Sequence, residues 1–173
     1  MPAEPLVQAP LRVLNGFGLA MRSASRYLAP QNVAELQAAV AQAAHEGMPV
    51  AFRGAGNSYG DASLSDRGLA IDTTGMKRIL AWDPATGIAD LEPGATIADL
   101  WTRTIQDGFW PAVVPGTMAA TMGGCAAMNI HGKNCYKVGP FGDQVQEFDL
   151  LTAEGKLLTC SRSQNPDVFH AAI

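Results

Sequence analysis

The chain has 173 residues and a formal net charge of −4, and 47% of its residues are hydrophobic while 16% are charged. This balance fits one globular domain with a substantial core, and the scattered lysines and arginines form no basic stripe, so we expect no nucleic-acid partner. No apolar run approaches the roughly 18 residues of a membrane span, which leaves peripheral contact as the only membrane association to expect.

The first predicted elements are an irregular N-terminal segment and a helix. Residues 1–30 are rich in proline and lack periodicity, and residues 1–24 are predicted to form an arm ahead of a domain over residues 25–173. A helix is predicted over residues 32–46. Asn32 can cap it, a glutamate three residues later completes a capping box, and a glycine follows as its stop.

The rest of the chain alternates short strands, hairpins and helices. In chain order, the elements predicted there are a strand at Val50–Phe52, a buried strand at 68–72, a hairpin over 78–92, a helix over 96–108, a helical turn at 123–129, a hairpin over 145–160 and a helix that begins at Pro166. This order predicts an α+β fold rather than a repeating strand–helix–strand series. The last helix has room for only two turns, so the chain is expected to be a piece of a longer protein.

A glycine-rich loop, "RGAGNSYG" at residues 53–60, follows the first predicted strand. It is not a dinucleotide-binding fingerprint, since Tyr59 stands where the third glycine belongs and no helix is predicted after it. It also lacks the Gly-Lys-Ser/Thr ending of a Walker A loop. Two interpretations stay open. The loop is either a simple turn at a strand end or a nest of N–H groups that binds an anion, with help from Arg53, Asn57 and Ser58.

A second unusual loop covers residues 114–134 and reads "VPGTMAATMGGCAAMNIHGKN". It collects more small and polar residues than a core segment does. Small residues and main-chain groups suit the wall of a site for a flat ligand. Two such loops, each after an extended apolar run, predict one ligand that carries a diphosphate and a ring system.

Four stretches together carry a resemblance to a known family: "RGAGNSYGD", "PGTMAATMGG", "NIHGKN" and "GPFGDQVQEFDLLTAEG". They resemble the FAD-binding domain of the vanillyl-alcohol oxidase/PCMH-type flavoproteins, nearest to the decaprenylphosphoryl-ribose oxidase branch. The resemblance covers residues 25–173. It implies a PCMH-type α+β domain with two small mixed sheets and flanking helices, truncated before the substrate domain and the C-terminal return of the chain.

The resemblance also implies which residues bind FAD. In that family the first loop wraps the pyrophosphate, and the second loop follows the ribityl chain and the isoalloxazine ring. Carried onto this chain, the cofactor-binding residues are Arg53, Gly54, Ala55, Gly56, Asn57, Ser58 and Tyr59 in the first loop, and Pro115, Gly116, Thr117, Thr121, Gly123, Gly124, Met128, Asn129, Ile130, His131 and Gly132 in the second.

Asn57 makes the cofactor prediction more specific. Several relatives carry a histidine at this position and tether the flavin covalently through it, whereas an asparagine cannot form that bond. We therefore expect non-covalent FAD.

His131 and Lys133 resemble residues on the substrate side of the flavin, so they are the catalytic candidates. The implied reaction is oxidation of a sugar-type secondary alcohol, such as a polyprenyl-phosphoryl pentose or an aldonolactone-like substrate, by hydride transfer to flavin N5. Lys133 can lower the pKa of a substrate oxygen, and His131 can relay a proton. Structural roles stay open for both: a backbone hydrogen bond for His131 and simple solvation for Lys133.

Other expectations concern the chain as a whole. Without a substrate domain it is expected to be inactive alone. Two further classes stay open: a flavin- or nucleotide-binding module without catalysis, and a structural fragment whose glycines only make turns. No metal site is predicted, because Cys125, His131 and Cys135 match no zinc spacing. Reduced thiols and the lack of a signal-peptide pattern predict a cytoplasmic protein.

Overall fold

The computed structural model describes residues 6–173, and the chain divides into two compact units. The first unit contains the residues up to 76 together with residues 151–156, and the second contains residues 77–150 and 157–173.

A four-stranded mixed sheet forms the centre of the first unit. Its strands are β1 (Leu11–Asn15), β2 (Arg22–Leu28), β3 (Val50–Arg53) and β4 (Leu69–Asp72), and the helix α1 (Val33–His45) follows β2 in the chain. The spatial order is β1-β2-β4-β3, with β1 antiparallel to β2 and with β4 parallel to both β2 and β3. Because β4 lies between two partners, its residues Leu69, Ala70 and Ile71 are fully buried.

The helix α1 forms because its first turn is capped and one of its faces is apolar. The Asn32 side chain accepts a hydrogen bond from the Glu35 N–H at 2.9 Å, and its amide donates to the Glu35 carboxylate at 2.7 Å. Gly47 follows with a φ of +63°, a left-handed conformation that favours glycine. The apolar face joins Ile71 and Met76 in the core of the unit; its buried residues are Leu36, Ala39, Val40 and Ala43.

The N-terminal segment differs from the prediction. Irregular backbone is predicted over residues 1–30, but β1 and β2 form an antiparallel hairpin there, with Leu11 opposite Arg26 and Asn15 opposite Arg22. The predicted arm over residues 1–24 is therefore wrong where these strands lie, and its residues 1–5 are outside the described part. The hairpin is stabilised by a parallel partner, β4, and this tertiary contact outweighs weak local propensity.

The second unit carries two short sheets and several short helices. β5 (Ile79–Asp83) and β6 (Ile88–Leu91) form an antiparallel hairpin, and β7 (Glu147–Leu151) pairs with β8 (Leu157–Ser161). The helices are α2 (Ile97–Thr104), α3 (Met122–Ala127), α4 (Cys135–Val138) and α5 (Pro166–Ala172). The core of the unit joins α2 to α3; its buried residues are Ala95, Ile97, Met122 and Cys125.

A buried carboxylate closes the open end of the β5–β6 hairpin. The Glu92 side chain is 6% exposed, and it accepts hydrogen bonds from the Arg78 backbone N–H at 2.8 Å, from Nε at 2.9 Å and from Nη2 at 2.6 Å. The bonds from the Arg78 side chain are the main reason that the pKa of Glu92 lies below its usual range. Since an unpaired buried charge is costly, this pair fixes where the chain leaves the hairpin.

Most of the elements predicted after residue 30 are confirmed, and the α+β class is confirmed with them. The sheets differ from the two mixed sheets expected, because the four-stranded sheet is mixed while the other two have only two strands each. The sequence does not predict α4, since one turn of helix is too short to show periodicity. Across residues 6–173, no helix is both long and apolar enough to cross a membrane.

Candidate functional site

The first glycine loop begins where β3 ends, and Arg53 anchors it. The Arg53 guanidinium donates from Nη1 to the Ser63 hydroxyl at 3.2 Å and from Nη2 to the Asn15 carbonyl at 2.9 Å. Gly56 has a φ of +73°, and a Cβ built on it would collide with the same guanidinium. Arg53 therefore holds the loop from inside.

The main-chain N–H groups of residues 54–59 are unpaired: none donates a hydrogen bond to any atom of residues 6–173. The side-chain Nδ2 of Asn57 is buried and likewise has no partner among the described residues. Unpaired buried donors are costly unless a ligand or water accepts from them. Successive free N–H groups beside a residue of positive φ are the arrangement that binds anions. The loop therefore fits an anionic group such as a diphosphate.

The end of the first loop is fastened to the β1–β2 turn, a contact that the sequence analysis missed. The Ser58 carbonyl accepts a hydrogen bond from the Phe17 N–H at 2.9 Å. The Tyr59 ring, whose residue is 75% exposed, packs against the edge of Phe17 with ring centroids 5.2 Å apart. The glycines on either side of Phe17 are the signal that could have indicated a close backbone approach.

The start and the end of the second loop are neighbours in the second unit. Pro115, Gly116 and Lys133 line one open cleft of about 330 Å³, whose other walls are Trp110, Ala112, Val114 and Asn134. A Cβ on the buried Gly132 would lie 2.7 Å from the Val114 carbonyl oxygen. The start and the end of the second loop can therefore approach each other only because residue 132 is a glycine. Gly116 differs, since a Cβ on it would meet no described atom within 4 Å. The sequence missed Trp110 and Asn134 as lining residues.

Contacts with other residues of the chain account for most of the conformation of the middle of the second loop. A Cβ on Gly123 would lie 2.9 Å from the Pro93 side chain, and the Gly123 N–H donates to the Pro93 carbonyl at 2.8 Å. Thr121 is buried, and Gly124 after it is exposed. The Thr117 hydroxyl accepts from the Ala119 N–H at 3.1 Å, which closes a local turn.

The segment after α3 is held by contacts with residues 141–142. Asn129 has a φ of +38°, and its side-chain oxygen accepts from the Gly142 N–H at 2.9 Å. The Ile130 carbonyl accepts from the Phe141 N–H at 2.8 Å, and both side chains pack on the apolar core. Met128 is 56% exposed. Asn129 and Ile130 thus hold the backbone that leads to the catalytic candidates.

His131 and Lys133 are both exposed, but only Lys133 lines the cleft. No hydrogen bond joins the His131 side chain to another of the described residues, so the backbone hydrogen bond considered for it is not formed. Cys125 is fully buried in the core, and this burial raises the pKa of its thiol to about 12, so the thiol is a poor nucleophile. Within residues 6–173, no group of three or more His, Cys, Asp or Glu side chains could hold a metal ion.

The chain matches a known protein family and is similar in sequence to several known proteins. A family profile described as "FAD binding domain" matches residues 24–161. The chain is 36% identical to decaprenylphosphoryl-beta-D-ribose oxidase of Mycolicibacterium smegmatis, an alignment that covers 92% of this chain and 35% of that protein. It is 32% identical to L-gulonolactone oxidase of Bos taurus, with coverage of 84% and 33%. It is 30% identical to cytokinin dehydrogenase 2 of Arabidopsis thaliana, with coverage of 72% and 25%.

These relatives are all much longer than the chain, which spans between 25% and 35% of their lengths. The matched region nevertheless contains both glycine loops and most of the two units. The relatives named as oxidases and a dehydrogenase agree with an oxidoreductase family. The chain therefore belongs to the PCMH-type FAD-binding domain family.

Proposed function

We propose that the chain binds FAD without a covalent bond and forms the N-terminal part of a flavin-dependent oxidoreductase. The observation that carries the proposal is the row of unpaired N–H groups over residues 54–59, together with the buried, unpartnered Nδ2 atom of the half-buried Asn57. Donors of this kind suit the two negative charges of a pyrophosphate. In the proposal they bind that part of FAD, while Arg53 keeps the loop in shape.

The second loop is proposed to bind the part of FAD that carries the ring system. Pro115 and Gly116 border the cleft, and the free space around Gly116 permits close approach of a flat group. Gly123, Asn129, Ile130 and Gly132 act in this proposal by holding the loop backbone. Thr117, Thr121, Gly124, Met128 and His131 complete the proposed set.

The substrate is proposed to be a sugar-type secondary alcohol, either a polyprenyl-phosphoryl pentose or an aldonolactone-like molecule. Two of the compared relatives are named for sugar-derived substrates, a decaprenylphosphoryl ribose and a gulonolactone. When bound, FAD supplies a hydride acceptor that permits oxidation of the alcohol to a carbonyl. In the proposal, Lys133, which lines the cleft, stabilises negative charge on the substrate oxygen. His131 is exposed and available to accept or relay the released proton.

Two further proposals concern the state of the protein. Activity is proposed to need the part of the longer relatives that this chain does not cover. The free thiols Cys125, Cys135 and Cys160 support a reducing, cytoplasmic location.

The test is a titration of the purified chain with FAD, followed by acid precipitation of the complex. Binding should quench flavin fluorescence, and all of the flavin should appear in the acid supernatant, because Asn57 cannot tether it. Asn57→Ala should weaken binding by removing a donor, and Asn57→Asp should weaken it further by adding a like charge. Equal affinities for the three proteins would reject the proposed pyrophosphate site, and flavin retained in the pellet would reject non-covalent binding.

A further inference from the structure

The end of β1 and the start of the β1–β2 turn, residues 15–18, make three contacts with the first glycine loop. The Asn15 carbonyl accepts from Arg53 at 2.9 Å, and the Phe17 N–H donates to the Ser58 carbonyl at 2.9 Å. The Phe17 ring also packs edge-on against the Tyr59 ring. This segment thus contacts the loop through a main-chain carbonyl, a main-chain N–H and an aromatic side chain.

Gly16 brings the two backbones into direct contact. It is buried, and its own N–H donates to the Met21 carbonyl at 3.0 Å, so its position is fixed within the hairpin. A Cβ built on Gly16 would lie 2.8 Å from the Gly60 carbonyl oxygen, 3.2 Å from that of Tyr59 and 3.4 Å from that of Ser58. Three successive carbonyls of the loop therefore face this one glycine.

The orientation of these carbonyls determines where the N–H groups of the loop point, because each peptide unit is planar and its C=O and N–H point in opposite directions. When the turn holds the C=O groups of residues 58–60, it also fixes the N–H groups of residues 59–61, and the first of these is the last donor of the unpaired row. Residues 54–59 make no internal N–H hydrogen bond within the described chain, so the loop has no ladder of its own to fix its shape. The turn and the Arg53 side chain supply that rigidity.

We propose that Gly16 and Phe17 are positioning residues, which clamp the first glycine loop in the conformation that binds the anionic part of the cofactor. The inference rests on the proposed FAD binding for its functional consequence. The clamp itself is a property of the first unit and is measurable without any ligand. Neither residue belongs to the predicted cofactor set, so the clamp adds a part of the chain that the family resemblance did not assign.

The chain offers a matched control two residues away. A Cβ on Gly18 would approach the loop no closer than 3.8 Å, to Tyr59, which is ordinary van der Waals contact. Gly16→Ala and Gly18→Ala make the same chemical change in the same turn, and only the first forces the turn away from the loop carbonyls. Phe17→Ala is the complementary variant, since it removes the ring contact and keeps the N–H that donates to Ser58.

The first measurement is the rate at which chymotrypsin cuts the Tyr59–Gly60 bond, followed by mass spectrometry on the whole chain without FAD. Cleavage in a folded protein requires local opening, so a loosened loop is cut faster. We expect Gly16→Ala to raise this rate about tenfold and Phe17→Ala to raise it to a smaller extent, with Gly18→Ala within about twofold of the unaltered chain. Thermal unfolding identifies any variant that has lost its global fold.

The second measurement is the FAD dissociation constant of the same proteins. Gly16→Ala and Phe17→Ala should weaken binding in the order of their cleavage rates, while Gly18→Ala should bind as the unaltered chain does. Equal cleavage rates for Gly16→Ala and Gly18→Ala would overturn the clamp, even if FAD binds. If cleavage differs as expected but no protein binds FAD, the clamp stands and the proposed function fails. If cleavage differs and FAD affinity does not follow it, the positioning role is refuted.

Discussion

Replacement of Gly132 by alanine is expected to destabilise the second unit, because there is no space for the methyl group. The new Cβ would lie 2.7 Å from the Val114 carbonyl oxygen, 2.9 Å from the Asn134 side-chain oxygen and 3.2 Å from the Val114 nitrogen. Ordinary contacts of a methyl carbon begin near 3.5 Å, so the overlap with the Val114 oxygen is roughly 0.8 Å. Two of the three neighbours are backbone atoms, which cannot rotate away.

Overpacking of this kind costs about 1–3 kcal/mol. For a chain of this size each kcal/mol lowers Tm by about 2–4 °C, so Gly132→Ala should unfold about 2–12 °C below the unaltered chain. Gly116→Ala is the matched control, since its Cβ would meet no described atom within 4 Å and its φ is not in the left-handed region. Its Tm should be unchanged or slightly higher, because alanine restricts the unfolded chain.

Thermal unfolding followed by circular dichroism measures both variants under one condition. FAD titration then separates the two glycines, since Gly116 lines the cleft and a methyl group there should weaken the proposed binding without a loss of stability. The reasoning is refuted if the two variants share one Tm, or if Gly132→Ala is as stable as the unaltered chain.

Three further predictions follow from the contacts of the second unit. The depressed pKa of Glu92 contributes stability above the usual range of a glutamate carboxyl, and that stability is lost as pH falls through its lower folded-state pKa. Glu92→Gln should therefore show a flatter acid dependence of Tm, and parallel curves would contradict this. Thr96→Ala removes the cap that accepts from Asp99 N–H at 3.1 Å and should cost about 1 kcal/mol, seen in urea unfolding as a lower midpoint at constant slope. Iodoacetamide at neutral pH should modify the exposed Cys135 and spare Cys125, whose pKa is raised by burial to about 12; mass spectrometry that finds both labelled in the native chain would refute this.

The sequence predicted the elements whose signals are local. The helix α1 has its cap at Asn32 and its stop at Gly47, and both are where the residue types indicate. The β5–β6 hairpin and the start of α5 at Pro166 follow from turn and capping residues in the same way. β1 and β2 were missed because their stability comes from the pairing of β2 with β4, residues that lie more than 40 positions apart.

Residue types alone did not distinguish glycines that border the cleft from glycines that make room for other parts of the chain. Small residues in the second loop are expected to make room for a ligand, yet Gly123 and Gly132 make room for Pro93 and for Val114. A sequence marks both uses with the same letter, so only coordinates separate them. Asn57 is the opposite case, since its buried and unpartnered Nδ2 is a feature that no pattern of residue types could indicate.

The free main-chain donors of residues 54–59 have a consequence for how the site can be mapped by mutation. Every residue type except proline presents the same N–H group, so replacing one side chain of the loop with another leaves most of these donors in place. An alanine scan of residues 54–59 should therefore register little outside Asn57 and Gly56, whose positive φ disfavours any side chain, and would understate the site. Sensitivity should appear instead at residues that hold the shape of the loop, such as Gly16 and Arg53. In this protein the map of mutational tolerance and the map of ligand contacts are expected to differ most at the first glycine loop, the proposed site of the cofactor's pyrophosphate.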